Sequence, residues 1–299
     1  PSLIQRCYPN EVLQKLDQLR QVIDETHDGS DYSELLWLTL TSILRECSPV
    51  GTAQWQYVLP EKSKSRSTDP FEAFNKKANL MHLDIAYRNA QDNSQLAVLY
   101  QDDARECSLV KDNWADLVVT SPPYANNYDY ADATRLELSF WGEVNNWGDL
   151  HNVIRRNLIR SCAQHVSKDR EDLNILLSDR FLSPIAPQIE QVCRELEIVR
   201  EKHGGRKHYH TMIAAYFSDM ARVWTALRRV THENSLICVV IGDSAPYGIY
   251  VPVENWLGML AIASGFTSYK FEKLRDRNVK WKNRKHSTPL HEGILWVMG

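Results

Sequence analysis

Apolar residues recur at helical spacing through the first third of the chain. Between Pro9 and Glu46 they fall three and four residues apart, which predicts two amphipathic helices packed on one another. The same spacing over Pro70 to Asn89 predicts another helix. The stretch between them, Ser48 to Asp69, is rich in Pro, Gly, Ser and charged residues and predicts a long loop.

After residue 95 the pattern changes to short apolar, β-branched runs separated by helical segments. The runs predict strands at Leu96 to Tyr100, Asp116 to Thr120, Ser235 to Ile241, Phe266 to Leu274 and Gly293 to Met298. Alternating strands and helices are typical of an α/β fold with a mostly parallel sheet, here preceded by a helical segment. We expect a helical segment over 1–90 and an α/β domain over 91–299, with a helical insertion at about 149–215.

The segment Ser121-Pro122-Pro123-Tyr124 follows one of these predicted strands directly. Each proline fixes its own φ and removes a backbone donor, so neighbouring carbonyl oxygens are held as free acceptors. Ligands of open α/β sheets bind at the carboxyl ends of strands. An acceptor-rich corner there suits a planar group with an amino donor, and the Tyr124 ring could stack on its face. The alternative is an ordinary turn, because proline pairs are common in loops.

This motif and the acidic loop Gln101 to Arg105 before it resemble the amino-methyltransferases of DNA bases. Their catalytic motif is Asp/Asn/Ser-Pro-Pro-Tyr/Phe, and the Ser form found here is similar to the cytosine-N4 branch. The resemblance spans roughly Leu96 to Val297. It implies a Rossmann-like methyltransferase sheet with an antiparallel edge hairpin, S-adenosylmethionine as methyl donor, and double-stranded DNA from which a base is flipped.

The resemblance also implies roles for individual residues of the catalytic motif. The Ser121 hydroxyl and the Pro122 carbonyl would accept hydrogen bonds from the target amino group, in a corner made rigid by Pro123. Tyr124 would stack on the flipped base. The cofactor would be contacted by residues at the strand ends. These residues would be Thr120 and Asp103, with Asp102 as the alternative to Asp103. The alternative for Asp103 is a helix N-cap.

One part of the family pattern is missing from this sequence. The glycine-rich cofactor signature Phe-x-Gly-x-Gly does not occur, and the 12 glycines are spread thinly. We therefore expect S-adenosylmethionine to bind weakly unless a second subunit or a missing part of the protein supplies that turn. The predicted docking surfaces for it are Leu36 to Ile43 and Leu96 to Leu99.

Composition limits the other classes of partner. A formal net charge of −3 gives no overall signature of nucleic-acid binding, so DNA contacts must come from local basic segments. The predicted contacts are Arg206, Lys207, Lys280, Lys282, Arg284 and Lys285. Six cysteines without a Cys-x-x-Cys pair predict reduced thiols and a cytoplasmic protein, and no metal site is expected. No apolar run has the length of a membrane span.

Several functions stay open on the sequence alone. The leading one is a cytosine-N4 DNA methyltransferase, or its catalytic subunit, from a restriction-modification system. The alternatives are adenine-N6 methylation, methylation of RNA bases or protein glutamine, and a non-catalytic DNA-binding subunit. The missing glycine turn favours the last alternative, whereas the intact motif at Ser121 to Tyr124 opposes it.

Overall fold

The computed structural model describes residues 2–53, 57–64, 66–90, 97–126, 128–166, 171–205, 207–277 and 288–299. Contacts divide the chain into two compact units. The first comprises Pro1–Val98 and Tyr130–Ile154, and the second comprises Leu99–Asp129 and Arg155–Gly299. The domain division given above, at residue 90 with an insertion at about 149–215, stays a prediction.

The first unit is mainly helical. In chain order its elements are α1 (Leu3–Cys7), α2 (Asn10–Thr26), α3 (Asp31–Cys47), β1 (Val50–Thr52), β2 (Val58–Ser63), α4 (Pro70–Asn89), α5 (Tyr130–Ala133), α6 (Arg135–Phe140), α7 (Trp147–Asp149) and a π-helical turn (Leu150–Ile154). The two predicted helices before Glu46 are confirmed as α2 and α3. The prediction of an irregular loop over 48–69 was wrong in part, because β1 and β2 pair there as an antiparallel hairpin.

Helix α4 shows how local sequence sets an element in this unit. The Asp69 carboxylate accepts hydrogen bonds from the backbone N–H groups of Phe71 and Glu72, and Pro70 occupies the first turn. Both features favour a helix start. The predicted range Pro70 to Asn89 is confirmed. The hydrophobic core of this unit includes Leu16, Ile23, Leu40, Ile43, Leu44 and Leu136.

The second unit contains a mixed four-stranded sheet. Its strands are β3 (Ala115–Thr120), β4 (Thr231–Gly242), β5 (Ser268–Arg277) and β6 (Leu290–Met298), in the order β3-β4-β6-β5. β3 runs parallel to β4, and the other two pairs are antiparallel. The predicted α/β class and antiparallel pair are confirmed. The sheet is not mostly parallel in the described residues, and so it is not a clear Rossmann sheet.

The second unit also contains several helices, of which the last two pack against the sheet. They are α8 (Ala163–Val166), α9 (Leu173–Leu177), α10 (Ala186–Lys202), α11 (Tyr209–Val230) and α12 (Val253–Ala263). Residues Met212 to Phe217 of α11 are consecutive and fully buried, so this helix is enclosed on all sides. Within the described residues, no helix is long and apolar enough to cross a membrane.

Two sequence predictions about exposed and buried segments need correction. Residues 97–100 form no strand, and Leu99 is exposed. An apolar run becomes a strand only when a neighbour pairs with it, and none does here in the described residues. The predicted docking surface at Leu36 to Ile43 was wrong in part. Leu36 and Leu38 are exposed, but Ile43 is completely buried in the core.

Candidate active site

The proline-rich loop follows β3 without a break. Thr120 is the last residue of β3 and lies beside Val239 of β4. Ser121 is exposed, the two prolines are half-buried, and Ala125 is buried in the core of the second unit. Asn126 turns the chain with a φ of 63°, a left-handed conformation that asparagine tolerates well. The loop is therefore anchored at both ends, with the Ser121 hydroxyl at the surface.

The Tyr124 hydroxyl joins this loop to the start of β6. It interacts with the Glu292 carboxylate and with the Ser121 hydroxyl. Burial raises the pKa of Tyr124, the nearby charge and hydrogen bond of Glu292 raise it further, and Arg277 and Ser121 act in the opposite direction. The phenol therefore keeps its proton, and its hydroxyl interacts with both Glu292 and Ser121. A hydroxyl oxygen has two lone pairs, so exposed Ser121 can also accept a hydrogen bond from a ligand.

Arg277, at the end of β5, covers one face of the Tyr124 ring. Its guanidinium carbon lies 5.1 Å from the ring centroid, and Nη1 donates to the Asp243 carbonyl oxygen at 2.7 Å. A Cβ on Gly242 would lie 2.6 Å from this Nη1 and 3.0 Å from the His291 carbonyl oxygen. A larger residue at this position would therefore displace the arginine from the end of β4.

A second polar cluster lies beside Arg277. The His291 ring reaches Asp243 Oδ2 through Nδ1 at 2.9 Å and Glu254 Oε1 through Nε2 at 3.4 Å. The Tyr250 hydroxyl lies 3.5 Å from the same Glu254 oxygen. Burial raises the pKa of Asp243, although the backbone N–H and the charge of His291 work against the rise. The His291 ring thus lies between two carboxylates.

Two clusters in the described residues present possible metal ligands. Asp243, Glu254 and His291 offer atoms within 4.8 Å of one another, and the His291 ring already contacts both carboxylates. The other cluster combines Asp129, Cys162 and His165. Burial raises the pKa of Cys162 to about 12, and a protonated thiol is a poor ligand. The expectation of no metal site stays a prediction.

Asp102 and Asp103, the predicted cofactor residues, are occupied by their own loop. Asp103 accepts two hydrogen bonds from Arg105 Nε at 2.9 and 3.1 Å, and Arg105 holds the Asp103 pKa below its usual range. Asp102 accepts from the Leu109 backbone N–H at 2.8 Å and from Ser108 Oγ at 2.9 Å. Both carboxylates stabilise a turn, and their contact with a cofactor stays a prediction.

Most of the predicted DNA contacts cannot be placed. Arg206, Lys280, Lys282, Arg284 and Lys285 lie outside the described residues. Lys207 is described, and its Nζ donates to the Tyr209 hydroxyl at 3.1 Å.

The segments that flank these basic residues converge on the loop that follows β4. Tyr209 packs edge-on against Tyr247 with ring centroids 4.8 Å apart. Before the undescribed stretch 278–287, Arg277 contacts Asp243. After it, the Thr288 hydroxyl donates to the Gly248 carbonyl at 3.2 Å. The described residues that flank both basic segments thus lie near the loop that follows β4, at the end of the sheet that carries Ser121.

A cavity of about 490 Å³ lies at the opposite end of the sheet, where β3 and β4 begin. Its lining includes Asn113 and Asp116 at the start of β3, and His232 and Glu233 at the start of β4. Because the catalytic motif follows the other end of β3, this cavity does not belong to the candidate site.

Sequence reasoning missed the residues that surround the motif, namely Arg277, Asp243, Glu292 and His291. Asp243 follows a strand end, which is a usable signal. The others are brought close by the antiparallel register, in which Gly242 lies beside Glu292. Nothing in the local sequence of β5 or β6 indicates that register.

Comparison with known proteins gives distant similarity to type II DNA methyltransferases. The chain is 25% identical over 181 residues to the type II methyltransferase M.BsoBI of Geobacillus stearothermophilus, covering 56% of this chain and 34% of that protein. It is 30% identical over 161 residues to M.AvaI of Nostoc sp. and to M.AvaI of Anabaena variabilis, covering 52% of this chain and 31% of each relative.

These matches cover only part of each protein. The chain spans about a third of the length of the curated relatives that it matches. No family model matches the chain, and no solved structure matches it. The similarity to DNA methyltransferases is consistent with the resemblance carried by the Ser121 to Tyr124 motif.

Proposed function

We propose that this chain is the base-binding part of a site-specific DNA methyltransferase that modifies the exocyclic N4 amino group of a flipped cytosine. The main support is the exposed Ser121 hydroxyl, which directly follows the end of β3 and interacts with Tyr124. The distant similarity to type II DNA methyltransferases supports the same reaction class. S-adenosylmethionine is the methyl donor that this class implies.

The chemistry explains why acceptors are needed. The lone pair of an exocyclic amine is delocalised into the aromatic ring, which makes the nitrogen a weak nucleophile. Acceptors on both amino hydrogens localise that lone pair as the transition state forms, which is selective stabilisation of the transition state. Ser121 Oγ and the Pro122 carbonyl would fill these positions. The base would stack on the Tyr124 face that Arg277 leaves free.

The residues present do not complete a site for S-adenosylmethionine. Asp102 and Asp103 are engaged by their own loop. The sequence contains no Gly-x-Gly. The adjacent pair Gly204-Gly205 follows α10 rather than a strand. A cofactor turn needs such residues because the backbone must approach the ligand closely. This chain's own contribution is therefore confined to the amino group and the base.

The acceptor can be tested by incubating the chain and DNA with tritiated S-adenosylmethionine, with and without the remaining parts of M.BsoBI. Digested product DNA would then be analysed by nucleoside mass spectrometry. We expect N4-methylcytosine whenever label enters the DNA. N6-methyladenine would overturn the assignment of the base. Transfer to RNA or to protein glutamine alone would replace DNA as the substrate.

A non-catalytic DNA-binding subunit is the second candidate, and the missing glycine turn favours it. The same assay separates the two functions. DNA binding without label transfer under every combination, including the complemented one, would support this second candidate. Transfer that depends on Ser121 would exclude it.

Neutralising the basic segment should weaken DNA binding about equally at every sequence. Replacing Lys280, Lys282, Arg284 and Lys285 by alanine removes phosphate contacts, which carry no base information. For four lost contacts the slope of log K against log salt should fall by roughly 3 to 4. Fluorescence anisotropy at several salt concentrations would measure this slope.

The matched control removes four positive charges from the first unit, at Lys62, Arg66, Lys76 and Lys77. These changes alter the net charge by the same amount, and we expect little change in the slope. An equal fall in both variants would mean that overall charge, rather than the segment, drives binding. An unchanged slope in the test variant would place the DNA elsewhere.

A further inference from the structure

The amino end of α11 lies at the same end of the sheet as Ser121. α11 leads directly into the start of β4, and Tyr209 in its first turn packs against Tyr247, which follows the end of β4. β3 runs parallel to β4, and Ser121 follows the end of β3. A DNA duplex whose base reaches Ser121 would therefore pass close to this helix end.

The first turn of α11 presents backbone N–H groups toward this end. An α-helix leaves its first N–H groups without partners inside the helix, and together with the helix dipole they attract anions. His208 stands at the N-cap position, and no side-chain hydrogen bond caps the helix there. Lys207 is exposed beside it. By itself this turn is an ordinary helix end, whose N–H groups water can satisfy.

The His210 side chain indicates that this helix end takes a ligand. His210 is only 6% exposed, and its Nδ1 atom has no hydrogen-bond partner among the residues that the structure describes. Its ring centroid lies 5.7 Å from that of the N-cap residue His208, so the unpartnered ring is at the helix end itself. Buried polar atoms nearly always have partners, and an unpartnered one points to a water or ion that binds there.

A second unpartnered nitrogen atom lies in the neighbouring helix α10. Arg200 Nε is buried and also lacks a partner in the described part of the chain, although Nη1 donates to Glu201 Oε1 at 3.3 Å. The charge of Arg200 lowers the pKa values of both His210 and Tyr247, so the guanidinium lies near both side chains. An anion with several oxygen atoms would supply acceptors for Arg200 and for a protonated His210.

The charges around His210 keep its ring neutral until an anion arrives. Burial lowers the pKa of His210 to about 4. Glu197 and Glu201 of α10 oppose this shift, whereas Arg200 and His208 add to it. An anion beside Nδ1 would favour the protonated ring and raise its pKa. Binding of an anion here should therefore be accompanied by uptake of a proton.

We propose that the amino end of α11 binds a phosphate group of the DNA backbone, through its first-turn N–H groups, a protonated His210 and the Arg200 guanidinium. This inference rests on the proposed function. It adds two buried side chains and a helix end to the basic segments that the sequence predicts as DNA contacts. The location at the Ser121 end of the sheet favours a DNA phosphate over a free one.

Proton uptake provides the first test. Calorimetry of the chain with a DNA duplex, in two buffers of different ionisation enthalpy, measures the protons taken up at a pH between the lowered pKa of His210 and the ordinary histidine value of about 6.5. We expect net uptake by the wild type. His210→Phe keeps a ring in the buried space but cannot take up this proton, so the uptake should be lost and the affinity for DNA should fall about tenfold. Equal uptake by both proteins would contradict the role of His210.

A second variant tests the helix end without removing a buried ring. In His208→Asp the new carboxylate caps α11 and favours the helix, so the melting temperature should not fall. The same carboxylate would occupy the anion position, and the affinity for DNA should fall at least tenfold. His232→Asp is the matched control, because His232 is exposed at the other end of the sheet. Equal losses in both variants would mean that overall charge, rather than this helix end, determines binding.

Inorganic phosphate is titrated beside the duplex to distinguish the two sources of the anion. Binding of inorganic phosphate, with DNA affinity unchanged in the His208 and His210 variants, would assign the site to a small anion and overturn the proposal. DNA affinity that depends on both residues, without methyl transfer in any preparation, would support the phosphate site and contradict the proposed function. Methyl transfer with DNA affinity unchanged in both variants would overturn the phosphate site and leave the proposed function standing.

Discussion

Replacing Ser121 by alanine should lower methyl transfer to DNA by about 10²–10³-fold, the effect of losing one aligned hydrogen bond at a reaction centre. The change removes the acceptor that weakens conjugation of the amino group. Because Ser121 is exposed, the fold should be unaffected. Initial rates with tritiated S-adenosylmethionine, in whichever preparation methylates DNA, measure the effect. The melting temperature monitors the fold.

Substitutions at Tyr124 separate its ring from its hydroxyl. Tyr124→Phe keeps the stacking surface but removes the hydroxyl that interacts with Ser121, so we expect a moderate loss of rate with little change in KM for DNA. Tyr124→Ala also removes base stacking, which is worth about 1–3 kcal/mol per base. It should therefore raise KM as well as lower kcat.

Ser183→Ala is the matched control for these changes. Ser183 is an exposed serine in a short 3₁₀ segment of the same unit, and its loss should leave activity unchanged. Wild-type turnover by both Ser121→Ala and Tyr124→Ala would refute the assignment of the motif. A rate loss in Ser183→Ala would instead indicate general damage to the unit.

The parts of the fold that sequence predicted well are those with local signals. Helix α4 begins at a capping aspartate and a proline, and both are visible in the sequence at Asp69 and Pro70. The antiparallel strands β5 and β6 were expected from their apolar runs. For α4 the determining interactions lie within a few residues of the helix start.

The errors arise where a distant partner decides the structure. Residues 97–100 have the composition of a strand but no neighbour to pair with in the described chain. The hairpin of β1 and β2 was missed because Gly51, Pro60 and the charged residues Glu61 and Lys62 are typical of a loop. Strand β3 was found, but its place at an open edge depends on which other strands are present.

The candidate site divides in the same way. Ser121 to Tyr124 is contiguous, so the motif could be read directly from the sequence. Arg277 and Glu292 follow it by more than 150 residues, and they reach Tyr124 only because β5 and β6 return antiparallel beside β4. Their roles follow from tertiary register, which single-sequence patterns do not contain.

Asp129→Asn should lower the free energy of unfolding by about 3–5 kcal/mol, the usual cost of removing one partner from a buried ion pair. The Asp129 carboxylate accepts hydrogen bonds from Arg155 Nε at 2.9 Å and Nη2 at 2.5 Å. The His165 ring lies 3.3 Å away. Asp129 and Arg155 are only 1% and 7% exposed, so the arginine would keep its charge in a poorly hydrated place.

The matched control is Asp276→Asn, which removes an exposed ion pair with Lys273 in the same unit. Surface pairs of this kind contribute about 0–1 kcal/mol. Urea unfolding followed by tryptophan fluorescence would compare the two variants. Equal losses would mean that the Asp129 cluster contributes no more than a surface pair.

The stability difference between wild type and Asp129→Asn should depend on pH, and its sign follows from the direction of the pKa shift of Asp129. Burial alone would raise the pKa of Asp129, but the hydrogen bonds from His165 and Arg155 outweigh it and hold the pKa below its usual range. Ionised Asp129 therefore contributes its full stability above a pH of about 4, the ordinary carboxyl value. That contribution falls as the pH drops through the lowered pKa. The gap between wild type and Asp129→Asn should narrow in acid, and a gap that widened below pH 4 would contradict the ion-pair explanation.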